Sequence, residues 1–188
     1  MKNQSNQFLQ KYKDSFFDIF LSNGDEPELL EGNINFYNYI EEDNEYIKNI
    51  LAIVKIYTFN TYELKDLFYL ADGISGDLLY VISAYCNYCD LYNGAGSITI
   101  IDQICIYEDI DNFVQEIKVI QWILLKSIKL LQILGTGTLL FMTKALVLDV
   151  EKCKRIKLIE NLIDSNILPI YQDNIDVVMA INLNERIF

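Results

Sequence analysis

The sequence predicts an α/β (α+β) domain in which a mixed central sheet carries helices on both faces. Apolar residues alternate in two runs within 34–59, which is typical of an antiparallel hairpin. The order strand, long apolar helix, strand within 98–148 requires a parallel pair or a parallel crossover. The 188 residues, of which 52% are hydrophobic, suit a single domain over 1–188 with its core at 34–183.

The N-terminal part of the chain predicts a helix, a connection and the hairpin. Within residues 1–33, the segment KYKDSFFDIFLS at 11–22 has the pattern of a short amphipathic helix, and a turn-rich connection follows it. The two hairpin strands are expected at 34–40 and 50–59, and the acids after the first strand are expected in the turn.

The remainder of the chain alternates helices and strands, which apolar periodicity, segment length and glycine positions indicate. In chain order, these are helical segments at 64–85 broken near Gly73, a strand at 97–107, a helix at 113–134 ended by Gly135, a buried strand at 138–148, an amphipathic helix at 150–166, and two strands around a turn at 172–174. We expect 98–107 and 138–148 to be neighbouring central strands, with the helix between them packed on the sheet.

Charge and residue types narrow the classes of function. The net charge of −12 disfavours binding to nucleic acid or to an anionic membrane, because both need a basic face, and it suits a basic protein partner. The absence of histidine removes the usual general base and the commonest transition-metal ligand, and we expect no metal. With no secretory signal or apolar span, the four cysteines are expected as free thiols in the cytoplasm.

The junction between the strand at 97–107 and the helix at 113–134 lies where many α/β proteins bind a phosphate. It lacks the residues that such a site uses. Phosphate-binding turns use glycines, which let backbone N–H groups approach the ligand at the start of a helix. The segment EDIDNFVQE at 108–116 has no glycine and carries Glu108 and three further acids. Acids at this position stabilise the helix itself by about 0.3–1 kcal/mol each, and they repel a phosphate.

Three passages resemble the GNAT N-acetyltransferase family: ADGISGDLLYVISAYC at 71–86, ITIIDQICIYED at 98–109, and KLIENLIDSNILPIYQDNIDVVMAINL at 157–183. The resemblance extends over about 34–183, and it implies a GNAT-like fold. Members of this family hold the acetyl-CoA pyrophosphate with a loop of the form Q/R-x-x-G-x-G/A, and 108–116 lacks its glycines and its arginine. The resemblance therefore implies a degenerate member that binds no cofactor.

The first of two hypotheses is a catalytically silent domain that acts as an acidic protein-binding module, of an inhibitor, immunity or anti-defence type. Its partner would present a basic surface, because acids beside tyrosines can grip such a surface. The tyrosines in question, at positions 37, 39 and 46, lie close in sequence to the first acidic run. The candidate interaction residues are Glu41, Glu42, Asp43, Glu45, Glu108, Asp109 and Asp111.

The second hypothesis is a working N-acetyltransferase with a divergent coenzyme loop and acetyl-CoA as its cofactor. The resemblance then implies Tyr171 as the general acid, with a carboxylate or a water molecule as the general base. The sequence leaves both hypotheses open, and binding of acetyl-CoA is the observation that separates them.

Overall fold

The computed structural model describes residues 9–24, 26–60, 64–88, 96–107, 110, 113–146, 167–174 and 176–184. These residues form a mixed sheet of seven strands in the order β1-β2-β3-β4-β5-β7-β6. The strands are β1 (Phe16–Asn23), β2 (Leu29–Glu42), β3 (Glu45–Phe59), β4 (Ser97–Ile106), β5 (Thr136–Met142), β6 (Ile167–Gln172) and β7 (Val177–Asn182). The helices are α1 (residues 9–13), α2 (Leu64–Ile74), α3 (Gly76–Tyr88) and α4 (Phe113–Ile133).

The predicted hairpin is confirmed as β2 and β3, and both strands are longer than predicted. Asp43 and Asn44 form a two-residue turn with φ of 51° and 65°. Such a turn matches the right-handed twist of the strands, and asparagine and aspartate tolerate its positive φ better than most residues. Of the acids expected in the turn, only Asp43 is there, since Glu41 and Glu42 end β2.

The predicted parallel pair is confirmed as β4 and β5. Ser97 aligns with Thr136 and Ile101 with Phe141, and α4 connects the two strands. Gly135, at φ 87°, follows α4 and allows the sharp reversal into β5. The two final strands are also confirmed, as the antiparallel pair β6 and β7.

Helices pack on both faces of the sheet, as the predicted class requires. On one face, Ile123 and Leu124 of α4 and Tyr12 of α1 belong to a single buried cluster. On the other face, Leu67 of α2 and Ile82 of α3 belong to a second cluster. Burial of each large apolar side chain contributes about 1.5–3 kcal/mol, so the two clusters together hold the three layers in place.

The helix predicted at 11–22 is wrong beyond its first turn. The chain is helical at 9–13, and FFDIFLSN then forms β1, which pairs with β2 from Phe16 to Asn23. Aromatic and β-branched residues fit a strand as well as a helix face, and the open side of β2 supplies backbone partners for all eight residues. The sheet therefore begins in the predicted N-terminal extension, before the predicted core at 34–183.

The strand predicted at 138–148 is too long at its C-terminal end. It ends at Met142, and Thr143–Ala145 form a 3₁₀ turn, in which Leu146 N–H donates to the carbonyl oxygen of Thr143 at 3.2 Å. An apolar run alone cannot show this end, because the turn is as buried as the strand. The predicted helix at 150–166 lies outside the described residues.

Candidate interaction surface

Aromatic side chains gather on the face of β1, β2 and β3 that is opposite α4. Strand alternation and register place Phe16, Phe20, Tyr37, Tyr39 and Tyr46 on this face, and we call them the aromatic surface. Tyr37 is half-buried, and the other four side chains are each more than half exposed. Exposed aromatic residues of this number on one face are typical of a surface that binds a partner.

The rings of the aromatic surface are packed against one another. Phe16 stacks on Tyr37 with ring centroids 5.9 Å apart and meets Tyr39 edge-on at 5.8 Å, while Tyr37 and Tyr39 are 5.6 Å apart. Aromatic pairs in these arrangements contribute about 0.5–1.5 kcal/mol beyond burial. These contacts join three of the five rings, and they leave Phe16 and Tyr39 more than half exposed.

A charged network anchors the same surface. Asp18 accepts hydrogen bonds from Lys48 and, at 2.7 Å, from the side-chain amide of Asn35. The Lys48 ammonium lies 4.0 Å from the centroid of the Tyr37 ring. These two hydrogen bonds hold the pKa of Asp18 below its ordinary value, and the one from Lys48 has the larger effect. The ammonium of Lys48 thus pairs with Asp18, and among the described ion pairs it has none with the acids at the hairpin tip.

Four of the predicted interaction acids lie at the tip of the same hairpin. Glu41, Glu42, Asp43 and Glu45 are all exposed, and Glu41 pairs with Tyr46 across the two strands. The structure therefore brings these acids to the edge of the aromatic surface, close to the tyrosines that the sequence associated with them. No described lysine or arginine forms an ion pair with any of the four.

Sequence reasoning missed the two phenylalanines of the aromatic surface. Phe16 and Phe20 were assigned to a helix, which would have directed their side chains differently. The signal that predicts their position is the alternation in FFDIF, where Phe16, Asp18 and Phe20 share one face of a strand. The remaining predicted acids, Glu108, Asp109 and Asp111, lie outside the described residues.

A second feature is the end of the parallel pair, where β4 and β5 separate. Their pairing stops at Ile101 and Phe141, whereas β4 continues to Ile106. The register of β4 against β3 shifts at this level, and Asp102 is the residue left over. Its carboxylate lies 3.3 Å from the ammonium of Lys55. Ligands of α/β sheets bind at the carboxyl ends of such strands, so this junction is the natural alternative site.

The junction holds little space among the described residues. A cavity of about 20 Å³ lies there, with Asp77, Leu78, Asp102 and Met142 in its wall. That volume accommodates about one water molecule. Lys144 forms an ion pair of 2.7 Å with Asp77 in this wall. The described wall presents carboxylates and apolar side chains, and the ammonium groups of Lys55 and Lys144 are paired with its carboxylates.

Tyr171, the acid implied for an acetyltransferase, lies away from this junction. It is half-buried on β6, and its ring meets that of Tyr80 edge-on at 5.7 Å. The strand β7 separates β6 from β5, which places β6 about 10 Å from the parallel pair. Burial, and then the neighbouring Asp173 carboxylate, raise the pKa of the Tyr80 hydroxyl.

The described residues contain no group of three or more acids and cysteines arranged to hold a metal ion. Burial raises the pKa of the half-buried Cys105 thiol, which makes it a poor nucleophile. Cys89 and Cys153 lie outside the described residues. None of the described helices combines the length and apolar character needed to cross a membrane. Comparison of the chain with protein-family models, curated proteins and solved structures finds no match.

Proposed function

We propose that this protein is a catalytically silent, acidic binding module that grips a basic protein surface in the cytoplasm. The observation that carries the proposal is the aromatic surface, where exposed rings adjoin four acids at the hairpin tip that pair with no described lysine or arginine. Aromatic residues supply most of the binding energy in protein interfaces, and charges around them set the choice of partner. The partner best suited to this surface has apolar or aliphatic anchors within a rim of lysines and arginines.

The fold that we propose for this module is GNAT-like. The parallel pair β4–β5 with α4 between the strands, and the closing antiparallel pair β6–β7, support this proposal. The absence of glycine and arginine from 108–116 supports a module without a coenzyme. The net charge of −12 further favours a basic partner.

The test starts with capture of a partner on the immobilised protein and its identification by mass spectrometry. The purified partner is then titrated against the wild type and against Phe16→Ser with Tyr39→Ser. We expect at least a tenfold loss of affinity in the variant, because each ring that leaves a buried contact costs about 1 kcal/mol or more. The matched control is Leu125→Ser with Ile133→Ser, which removes two exposed apolar side chains from α4 and should leave affinity unchanged.

The acidic rim is tested separately with Glu41→Lys and Glu42→Lys in one chain. Affinity for the same partner should fall, and wild-type affinity should weaken as salt rises, since exposed charges are screened over about 8–10 Å at physiological ionic strength. A partner that binds the control and both surface variants equally, or whose affinity ignores salt, would contradict the proposal.

The alternative function is an acetyl-CoA-dependent N-acetyltransferase. The observation that favours it is the pair of carboxylates, Asp77 and Asp102, at the diverging ends of the parallel strands, where a general base could lie. Calorimetric titration with acetyl-CoA separates the two functions. The binding-module proposal expects no saturable binding, and a dissociation constant below roughly 50 μM would favour the acetyltransferase.

A further inference from the structure

A cavity lies at the start of β2, away from the aromatic surface. It is an open cleft of about 490 Å³ between β2, the chain before it and the end of α2. This volume is within the range of about 300–1,000 Å³ that small-molecule sites occupy. Glu31 in its wall is six residues from Tyr37 along β2, a separation of about 20 Å. The cleft is therefore a separate feature from the surface proposed to bind a protein.

The cleft has an apolar base and an acidic wall. Leu29 and Leu70 are buried residues of the second core cluster and form its base. Glu26, Glu31 and Asp72 are exposed and line its sides. No lysine or arginine is among the described residues that line the cleft, and none of the described cations pairs with these three acids. The carboxylates therefore give the cleft an unbalanced negative potential.

The backbone adds to this potential independently of the side chains. Asp72, Gly73 and Ile74 form the last residues of α2, and all three line the cleft. The C-terminus of a helix carries about half a negative charge and favours a cation, and the N-terminus of α3, which begins at Gly76, offsets part of that charge. The last turn of α2 contains no basic residue that would neutralise it. A helix end, three carboxylates and the cavity thus favour the same sign of ligand.

Size and spacing decide what kind of cation fits. The three acids do not form a group that could hold a metal ion, since no such group occurs in the described part of the chain. They surround an apolar base instead, and Tyr69, 71% exposed, presents its ring at the rim. An aromatic face attracts ammonium and guanidinium groups by about 0.5–1 kcal/mol at exposed sites. This combination suits a charged head on a short hydrocarbon stem.

We propose that the cleft binds an organic cation, namely an alkylammonium or alkylguanidinium group whose stem lies on Leu29 and Leu70. The cationic head lies among Glu26, Glu31 and Asp72, beside the carbonyl groups that end α2. A free amine and a lysine or arginine side chain both provide this chemistry. The inference does not depend on the proposed protein-binding function, because it concerns a different set of residues.

The test titrates the full chain with small probes. The backbone amide signals of the cleft residues are monitored by two-dimensional NMR during the titration. The probes are n-butylammonium, n-butylguanidinium and, as the neutral control, 1-butanol. We expect the two cations to shift the signals of Glu31, Asp72 and Gly73 in a saturable manner, and 1-butanol to bind at least tenfold more weakly. Calcium should not reproduce the shifts, since the acids are not arranged around one small ion.

Two types of variant sharpen the test. Glu31→Gln and Asp72→Asn should each weaken butylammonium binding by about tenfold, because each removes one charge-assisted contact. Asp14→Asn, which changes an exposed acid outside the cleft, is the matched control and should leave binding unchanged. Gly73→Leu should weaken binding, because Gly73 lines the cleft and a leucine side chain there would take up part of its open volume.

Two further probes identify the source of the cation. Tighter binding of Nα-acetyl-lysine methylamide than of spermidine assigns the cleft to a protein side chain, and the reverse order assigns it to a free polyamine. Either order supports the proposal. Equal shifts from 1-butanol and butylammonium, or shifts that survive Glu31→Gln and Asp72→Asn, would overturn it.

Discussion

Two strands of the same sheet, the inner strand β5 and the edge strand β1, differ sharply in burial. Every residue of β5 is buried, whereas β1 contains none that is fully buried and exposes Phe16 and Phe20. Helices cover β5 on both faces, but no described helix lies over the face of β1 that carries these rings. Apolar side chains therefore serve stability in β5 and remain available for binding in β1.

The two edge strands of the sheet, β6 and β1, differ in their protection against pairing with a further strand. The edge strand β6 contains Pro169 and a register shift beside it, both of which hinder the addition of a further strand. The edge strand β1 pairs with β2 over eight residues without a shift, and it contains no proline or lysine. The protection at one edge and its absence at the other are consistent with a binding role for the β1 end of the sheet.

The largest expected effect comes from replacing one phenylalanine in each of the strands β5 and β1. Phe141→Ala in β5 should lower the free energy of unfolding by about 3–5 kcal/mol, because it opens a cavity in a core that is closed on both sides. Phe16→Ala should lower it by less than about 1.5 kcal/mol, the value of its ring contacts. Denaturant unfolding of the two variants measures both. Equal losses would mean that the aromatic surface is part of the core.

Two carboxylates extend the comparison to polar groups. Asp176 is fully buried and accepts hydrogen bonds from the Thr143 hydroxyl and, at 2.9 Å, from Lys144 N–H. Asp176→Ala should cost about 2–4 kcal/mol of unfolding free energy, because it leaves buried donors without an acceptor. Asp18→Ala should cost less than about 1 kcal/mol, since its ion pair with Lys48 is solvent-exposed. Chemical denaturation again provides the measurement, and a larger loss in Asp18→Ala would reverse the comparison.

Substitutions at two glycines should change the stability by smaller amounts, and the two changes should have opposite signs. Gly96 has φ 106°, and a Cβ there would lie 2.7 Å from the carbonyl oxygen of Gly135. Gly96→Ala should therefore destabilise the fold by about 1–3 kcal/mol. Gly73→Ala, in open space near the end of α2, should stabilise it by up to about 1 kcal/mol. Thermal unfolding of both variants measures these changes. Two melting temperatures that move in the same direction would contradict the prediction.

The smallest effect concerns pH. Burial raises the pKa of Glu116 above its ordinary value of 4.5, so the folded state binds this proton more readily than the unfolded chain does. The stability that the protonated group provides is complete below pH 4.5, and it is lost as pH rises through the raised pKa. Glu116→Gln should match the wild type at low pH and exceed its stability by a few tenths of a kcal/mol at neutral pH. A difference in unfolding free energy between Glu116→Gln and the wild type that does not change with pH would contradict a raised pKa of Glu116.

The local pattern of the sequence was sufficient for the elements whose partners are close in the chain. The alternation in 34–59 predicted the β2–β3 hairpin, and the apolar helix before Gly135 predicted α4 and the parallel strands beside it. The acids at 41–45 were also placed at one surface, since a hairpin keeps neighbours in sequence together. These features depend on side-chain periods and turn residues, which the sequence states directly.

The tertiary structure alone decided the remaining features, because they depend on contacts between residues that are far apart in the chain. FFDIFLSN could satisfy its backbone in a helix, and it becomes β1 only because β2 offers an open edge. The hydroxyl of Thr99 lies 3.0 Å from those of Thr58 and Thr136, a buried contact of three separate strands that no local pattern encodes. The acidic cleft joins β2 to the end of α2 in the same way. Sequence periodicity determines which side of an element is apolar, whereas the pairing of strands determines which side remains open to a partner.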